Sequence, residues 1–324
     1  MKISEVVQGF IFAYRTQGHA EDTINSYSWR LNVFANYFNK KLFEDLTTDD
    51  IYSFFDFLKN YYHPINFTGR SVPFSSASHV FYWRTLKAFF NWCENELKAP
   101  NLITTIPKPR YVAPDIKPFN EEEIKLLLHV CSKGRFEYKS HGKKILLPSP
   151  THLRDQAIIM ILLDTGMRVG EMTRLKYKDV NLQNGELIIR PFSTGMKTKP
   201  RHVFIGANSK TALWKYIVSK KRHFGEAKAD DTVFIARAGK DMDRNSVGHA
   251  LKRIAKRASI QDVHPHRFRH TAAVQYLLNG GDIFTLQRML GHSSLKMVNY
   301  YLTLSNIDLK SVHMLVSPVD RWKL

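Results

Sequence analysis

Cysteine is nearly absent from this chain of 324 residues, which has only Cys93 and Cys131 and no CxxC pairing. That excludes a cysteine-based zinc ribbon and suits a reducing compartment, so a cytoplasmic location is the expectation. Long apolar runs are missing too. The longest, Ala157–Leu163, is far short of the roughly 20 residues that a membrane span needs. The opening "MKISE" leads into an amphipathic pattern rather than a signal peptide. Acidic side chains are the third scarcity: 29 Asp and Glu face 48 Lys and Arg, a net charge of +19. A polyanion would neutralise such an excess, and without a membrane segment nucleic acid is the favoured partner.

What the chain does have is ordinary globular content, 44% apolar and 12% aromatic, and a length that fits two domains better than one. Apolar positions recur at helical spacing in four stretches before residue 98: Ile3, Val6, Val7, Phe10 and Tyr14; Ile24, Tyr27, Leu31, Phe34 and Phe38; Ile51, Phe54, Phe55 and Leu58; and Phe81, Leu86, Phe89, Phe90 and Trp92. Asp22 or Thr23, and Thr47 or Thr48, stand where N-caps belong. Between the third and fourth stretches, residues 63–78 have loop composition. Residues 100–118 carry five prolines and no sustained periodicity, which predicts an extended linker between two domains.

Asn120 then caps a predicted helix running through Val130. A basic stretch from Ser132 to Pro150 reads as a loop, and "DQAIIMILLD" as a buried helix. Strand patterns at 186–192 and 201–206 predict a small antiparallel sheet, followed by helices at 208–223, 243–259, 266–279, 282–290, 294–304 and 307–316. The predicted fold class is mainly α: a four-helix domain joined to an α-rich domain with a small sheet.

Four segments carry chemistry. In "DTGMRVGE" a Thr-Gly turn places Arg168 in the first turn of the following helix, where a guanidinium and helix N–H groups together favour a phosphate oxygen. "STGMKTKPRHVF" puts Lys197 and Lys199 in a turn between strands, within reach of a groove. "HPHRFRH" sets His266 and Arg269 on one helical face with His270 one turn from His266. His264, His266 and His270 have a spacing that zinc could use, although the interleaved arginines oppose a dication. "LGHSSLKMVNYYLTL" supplies His292 and the pair Tyr300 and Tyr301; a tyrosine hydroxyl is a covalent nucleophile when cations stabilise its phenolate.

The order of these segments, with Tyr301 nine residues after His292, resembles the tyrosine recombinase family of phage integrases and Xer-like proteins, over residues 1 to about 316. The resemblance implies a SAM-like core-binding DNA-clamp domain at 1–99, a linker at 100–118 and a catalytic domain at 119–324. It also implies metal-free, cofactor-free breakage and rejoining of DNA through a covalent 3′-phosphotyrosyl intermediate. Arg168 and Arg269 would clamp the scissile phosphate, Lys197 would be the general acid toward the leaving 5′ oxygen, and His266 would act in proton transfer. His292 would donate a hydrogen bond to the phosphate, Tyr301 would be the nucleophile, and Glu171 would orient Arg168. Lys199 competes with Lys197, whose "KT" pair matches the family position, although the interval to Arg201 is about one residue shorter than usual. Of the adjacent tyrosines, set about 100° apart on a helix, the interval from His292 selects Tyr301. Implied partners are duplex DNA, further copies in a tetramer on two duplexes, and accessory DNA-bending proteins. The apolar face of Ile307, Leu309, Val312 and Leu315 would dock on a neighbouring copy. Rival readings are a relaxing topoisomerase or hairpin resolvase with the same residues, a DNA-binding regulator without catalysis, and a zinc-dependent nuclease.

Overall fold

The computed structural model describes residues 1–64, 74–111, 117–140, 143–149, 151–191, 200–291 and 317. The chain divides into two compact units, Met1–Asp115 and Ile116–Leu324. No helix among the described residues is long and apolar enough to cross a membrane.

The first unit is built on helices α1 (Ile3–Thr16), α2 (Glu21–Tyr37), α3 (Thr48–Asn60) and α4 (Ser76–Leu97). Each turns its apolar stripe inward, and the core is aromatic: Phe34 meets Phe54 edge-on at 5.1 Å and Phe10 meets Phe89 edge-on at 5.6 Å. Such pairs place the positive ring edge on the negative ring face, which adds to the burial of two large apolar surfaces. Thr47 caps α3 in a reciprocal box with Asp50, as its position predicts. Asp22 and Thr23 do not cap α2; the N-cap is Ala20, and both lie inside the first turn. Phe81 is exposed rather than in the core, with the Arg30 guanidinium 5.3 Å over its ring. The proline-rich segment is not extended from residue 100. Residues 102–105 form a turn, Ile103 and Ile106 are buried against the helices, and Trp83 donates to the Ile106 carbonyl at 3.0 Å. Two isoleucines three apart favour burial over the stiffness that proline supplies.

The second unit is centred on α6 (His152–Thr165), whose Ala157, Ile158, Ile159, Ile161 and Leu162 are all buried because neighbours cover it on several sides. Those neighbours include α5 (Glu121–Ser132), α8 (Ala207–Phe224) and α10 (Pro265–Leu278). The segment read as a basic loop instead forms an antiparallel pair, β1 (Gly134–Ser140) with β2 (Lys143–Pro148). A second, three-stranded antiparallel sheet follows the order β3 (Val180–Asn181), β4 (Glu186–Ile189) and β5 (Arg201–Phe204). Its Leu187 pairs with Val203, both buried, and Ile189 pairs with Arg201, which fixes where β5 begins. The one-turn helix α7 (Val169–Met172) lies between α6 and the sheet in sequence; α9 (Arg244–Ala258) and α11 (Ile283–Leu290) complete the α-helices among the described residues. The helices expected at 294–304 and 307–316 lie outside the described residues.

Candidate active site

Helix α6 ends at Gly166, whose φ of +58° is the left-handed conformation that glycine adopts without steric cost. A Cβ there would lie 2.7 Å from Leu290 Cδ2, so the turn also needs glycine for close packing. Thr165 fixes the turn: its hydroxyl donates to the Ile161 carbonyl at 2.7 Å and accepts from the Met167 amide at 3.2 Å. Two residues on, Arg168 is the N-cap of α7 rather than a residue of its first turn, and its side chain is 47% exposed. Being four residues long, α7 supplies little macrodipole, so the guanidinium itself is the anion-attracting element.

Glu171 meets Arg168 as the sequence implied: its Oε2 accepts from the Arg168 amide at 2.8 Å and its Oε1 from Nη1 at 3.3 Å. The stronger grip comes from a residue that sequence reasoning gave no role. Arg201 forks onto the same carboxylate, Nη1 to Oε1 at 3.0 Å and Nη2 to Oε2 at 2.7 Å, while its Nε donates to the Met289 carbonyl at 2.9 Å. Burial pushes the Glu171 carboxyl up, but the hydrogen bonds and charge of Arg201, then those of Arg168, outweigh it and hold the group below the ordinary carboxylate range.

Helix α10 begins at His264, whose Nδ1 accepts from the Arg267 amide at 3.2 Å, with Pro265 at the first helical position. The two arginines of "HPHRFRH" then part company, since residues two apart on a helix face nearly opposite ways. Arg267 turns to the entry of the chain: it donates to the carbonyls of Lys117 at 2.9 Å and Gln261 at 3.0 Å, pairs with Glu123 at 2.9 Å, and lies 3.8 Å over the Phe119 ring. Arg269 turns inward and is 1% exposed. It donates to the carbonyls of Gly166 at 2.7 Å and Leu290 at 2.8 Å, at the C-terminal ends of α6 and α11. Both carbonyls are orphans of their helices, so one cation satisfies two helix ends.

His266 joins these groups. Partial burial holds its imidazole below the ordinary histidine value, and the nearby charges of Arg269, His264 and Arg168 lower it further, so the ring is neutral at neutral pH. His270 is buried beside it, ring centroids 4.9 Å apart and nearly perpendicular. Arg168, His266 and Arg269 are thus brought together around the Gly166 turn. Lys197, Lys199, His292, Tyr300 and Tyr301 lie outside the described residues. The backbone is described up to Gly291, a left-handed C-cap at φ +66° immediately before His292.

Residues 117–306 match the phage integrase family. The chain belongs to that family. It is 28% identical over 313 residues to the tyrosine recombinase XerA of Saccharolobus solfataricus, covering 96% of this chain and 92% of that protein. It is 30% identical over 236 residues to the tyrosine recombinase XerC of Bacillus pumilus, covering 71% of each. In fold it is similar to the Tn1549 transposon integrase in complex with a circular intermediate DNA, with a TM-score of 0.69, 15% identity and coverage of 96% of this chain and 98% of that one. The activity class is that of a site-specific tyrosine recombinase. For this recombinase the mainly helical fold with a small antiparallel sheet matches the expectation from sequence.

Proposed function

We propose that the recombinase cleaves duplex DNA at the Gly166 turn, with Arg168 and Arg269 holding the two non-bridging oxygens of the scissile phosphate. Tyr301 Oη attacks phosphorus, forming the P–O bond to tyrosine as the bond to the 5′ oxygen breaks. The phenolic proton passes to neutral His266, Lys197 protonates the departing 5′ oxygen, and His292 donates to the phosphate. The products are a 3′-phosphotyrosyl strand and a free 5′ hydroxyl. The bond energy is kept in the phosphodiester, and attack by a 5′ hydroxyl of another strand reverses the step. Fixed donors suit this chemistry because negative charge gathers on phosphate oxygens in the transition state, where water would have to reorganise.

One observation carries this reading: the Arg269 guanidinium spans the Gly166 and Leu290 carbonyls, which places it between the turn that bears Arg168 and the turn that leads into His292. The net charge of +19 supports duplex DNA as the partner, and a structural relative has been solved with DNA. On this reading residues 1–99, together with the turn that buries Ile103 and Ile106, are the core-binding domain, and residues 119–324 are the catalytic domain. The chain works as a tetramer on two duplexes, with Ile307, Leu309, Val312 and Leu315 docked on a neighbour.

The test is covalent trapping on a library of nicked duplexes, followed by sequencing of the adducts. Wild type and Tyr300→Phe form a protein–DNA adduct, also in excess EDTA, and Tyr301→Phe binds DNA without forming one. An adduct lost only in Tyr300→Phe moves the nucleophile by one residue. Adducts in both variants end the recombinase mechanism for this chain, and activity restored by zinc after chelation ends the metal-free one.

A further inference from the structure

We propose that Arg201 is a positioning residue of strand cleavage, holding the Arg168–Glu171 pair and the turn into His292 in one fixed relation. The inference rests on the site reading given above and adds to it a residue that touches no DNA.

Arg201 is the first residue of β5, and its pairing with Ile189 sets the strand register from which the side chain projects. Three of its N–H groups are directed into the protein. Two go to the carboxylate oxygens of Glu171, at 3.0 and 2.7 Å, and one to the Met289 carbonyl at 2.9 Å. Both members of the ion pair are largely sheltered, at 17% and 11% exposure, so water screens the pair little. A planar fork on a planar carboxylate leaves Glu171 no freedom to rotate, which an ammonium could not enforce. The same two oxygens receive Arg168, at its amide and at Nη1, so the orientation of Arg168 is only as fixed as the carboxylate.

The Arg201 side chain also packs closely against Gly291. A Cβ at that glycine would stand 3.1 Å from Arg201 Nη1, 3.2 Å from Cζ and 3.3 Å from Cδ. Together with the bond to Met289, this ties the end of α11 to Glu171 immediately before His292. Four residues upstream in sequence stands Lys197. One side chain therefore touches, or directly follows, the segments that bear three proposed catalytic groups. Because its charge is already taken up by the Glu171 carboxylate, its contribution is to geometry.

The experiment measures single-turnover cleavage by the full chain on a nicked duplex trapped by wild type. Wild type, Arg201→Met, Arg201→Lys, Arg168→Ala and Tyr301→Phe are compared at saturating DNA. Misplacing a reacting group by about 1 Å costs on the order of 100-fold, so Arg201→Met is expected to cleave about 30- to 100-fold more slowly, with half-saturating DNA within about threefold of wild type. Arg201→Lys recovers part of the rate, and its melting temperature keeps the comparison valid should the methionine variant fold poorly. The discriminating substrate carries a methylphosphonate at the scissile position, which removes the charge that Arg168 stabilises. There the gap between each Arg201 variant and wild type shrinks, whereas a mere folding defect leaves it unchanged. Wild-type cleavage by both Arg201 variants, or a gap equal on the two substrates, overturns the positioning role. If Arg168→Ala and Tyr301→Phe also cleave normally, the site reading fails with it; if those two fail as expected, only the role of Arg201 falls.

Discussion

The guanidinium of Arg269 donates to the Gly166 carbonyl at 2.7 Å, joining helix α10 to a turn 103 residues earlier in the chain. Arg269→Ala removes a charged donor from the proposed phosphate site and leaves the Gly166 and Leu290 carbonyls without it in a buried place. Cleavage is expected to fall by roughly two to three powers of ten, since one such donor is worth about 3 kcal/mol in a transition state. Urea unfolding should show a separate loss of about 2–4 kcal/mol from the two abandoned carbonyls. A variant that cleaves at the wild-type rate once folded would remove Arg269 from the chemistry and leave it a helix-end staple.

His266 gives a pH signature. Its imidazole is held below the ordinary value of about 6.5 by partial burial, then by Arg269, His264 and Arg168. The unfolded chain binds that proton more readily, so the contribution of neutral His266 to stability is present above the unfolded value and is lost as pH falls through it toward the folded one. Cleavage should be level around neutrality and decline on the acid side of the ordinary histidine range. An NMR titration of the imidazole locates the inflection, and Arg168→Met should move it upward by removing one of these repulsions between charges. An inflection unmoved in that variant would separate His266 from Arg168.

Arg267 stands only one residue from His266 and two from Arg269, yet its substitution should read as stability. Arg267→Ala forfeits the Glu123 pair, the carbonyl partners Lys117, Gln261 and Pro118, and the face of Phe119. For a partly buried pair the expected loss is about 2–3 kcal/mol by denaturant unfolding. Cleavage per folded molecule should stay within about threefold of wild type, a small change in free energy. A loss comparable to that of Arg269→Ala would place Arg267 in the site.

Helical faces were legible in the sequence wherever apolar spacing was dense, as in α1 and α3, and so was the turn that presents Arg168. Local pattern failed where a distant partner decides. Ile103 and Ile106 pack against α4 despite the prolines around them, and the basic stretch around residue 140 pairs with itself as two strands despite its loop-like composition. Phe81 shares the helical spacing of its buried neighbours but is reached by Arg30 across the surface. Nothing near Arg201 in sequence announces Glu171, 30 residues earlier, or Met289, 88 residues later. Of the three histidines whose spacing zinc could use, His264 has the work of a helix cap, a role that its position just before Pro265 could have signalled.

Counted as charges, Arg168, Glu171 and Arg201 are two cations around a single anion. The surplus falls to Arg168, the more exposed of the two arginines. On the proposed reading a phosphodiester brings the one negative charge that makes the set neutral, so substrate enters as the missing counterion of an ionic lattice already assembled on three sides. Binding and folding are then linked: a duplex held there offsets the repulsion between the two arginines, and it raises the melting temperature of the second unit with the logarithm of its concentration over its dissociation constant.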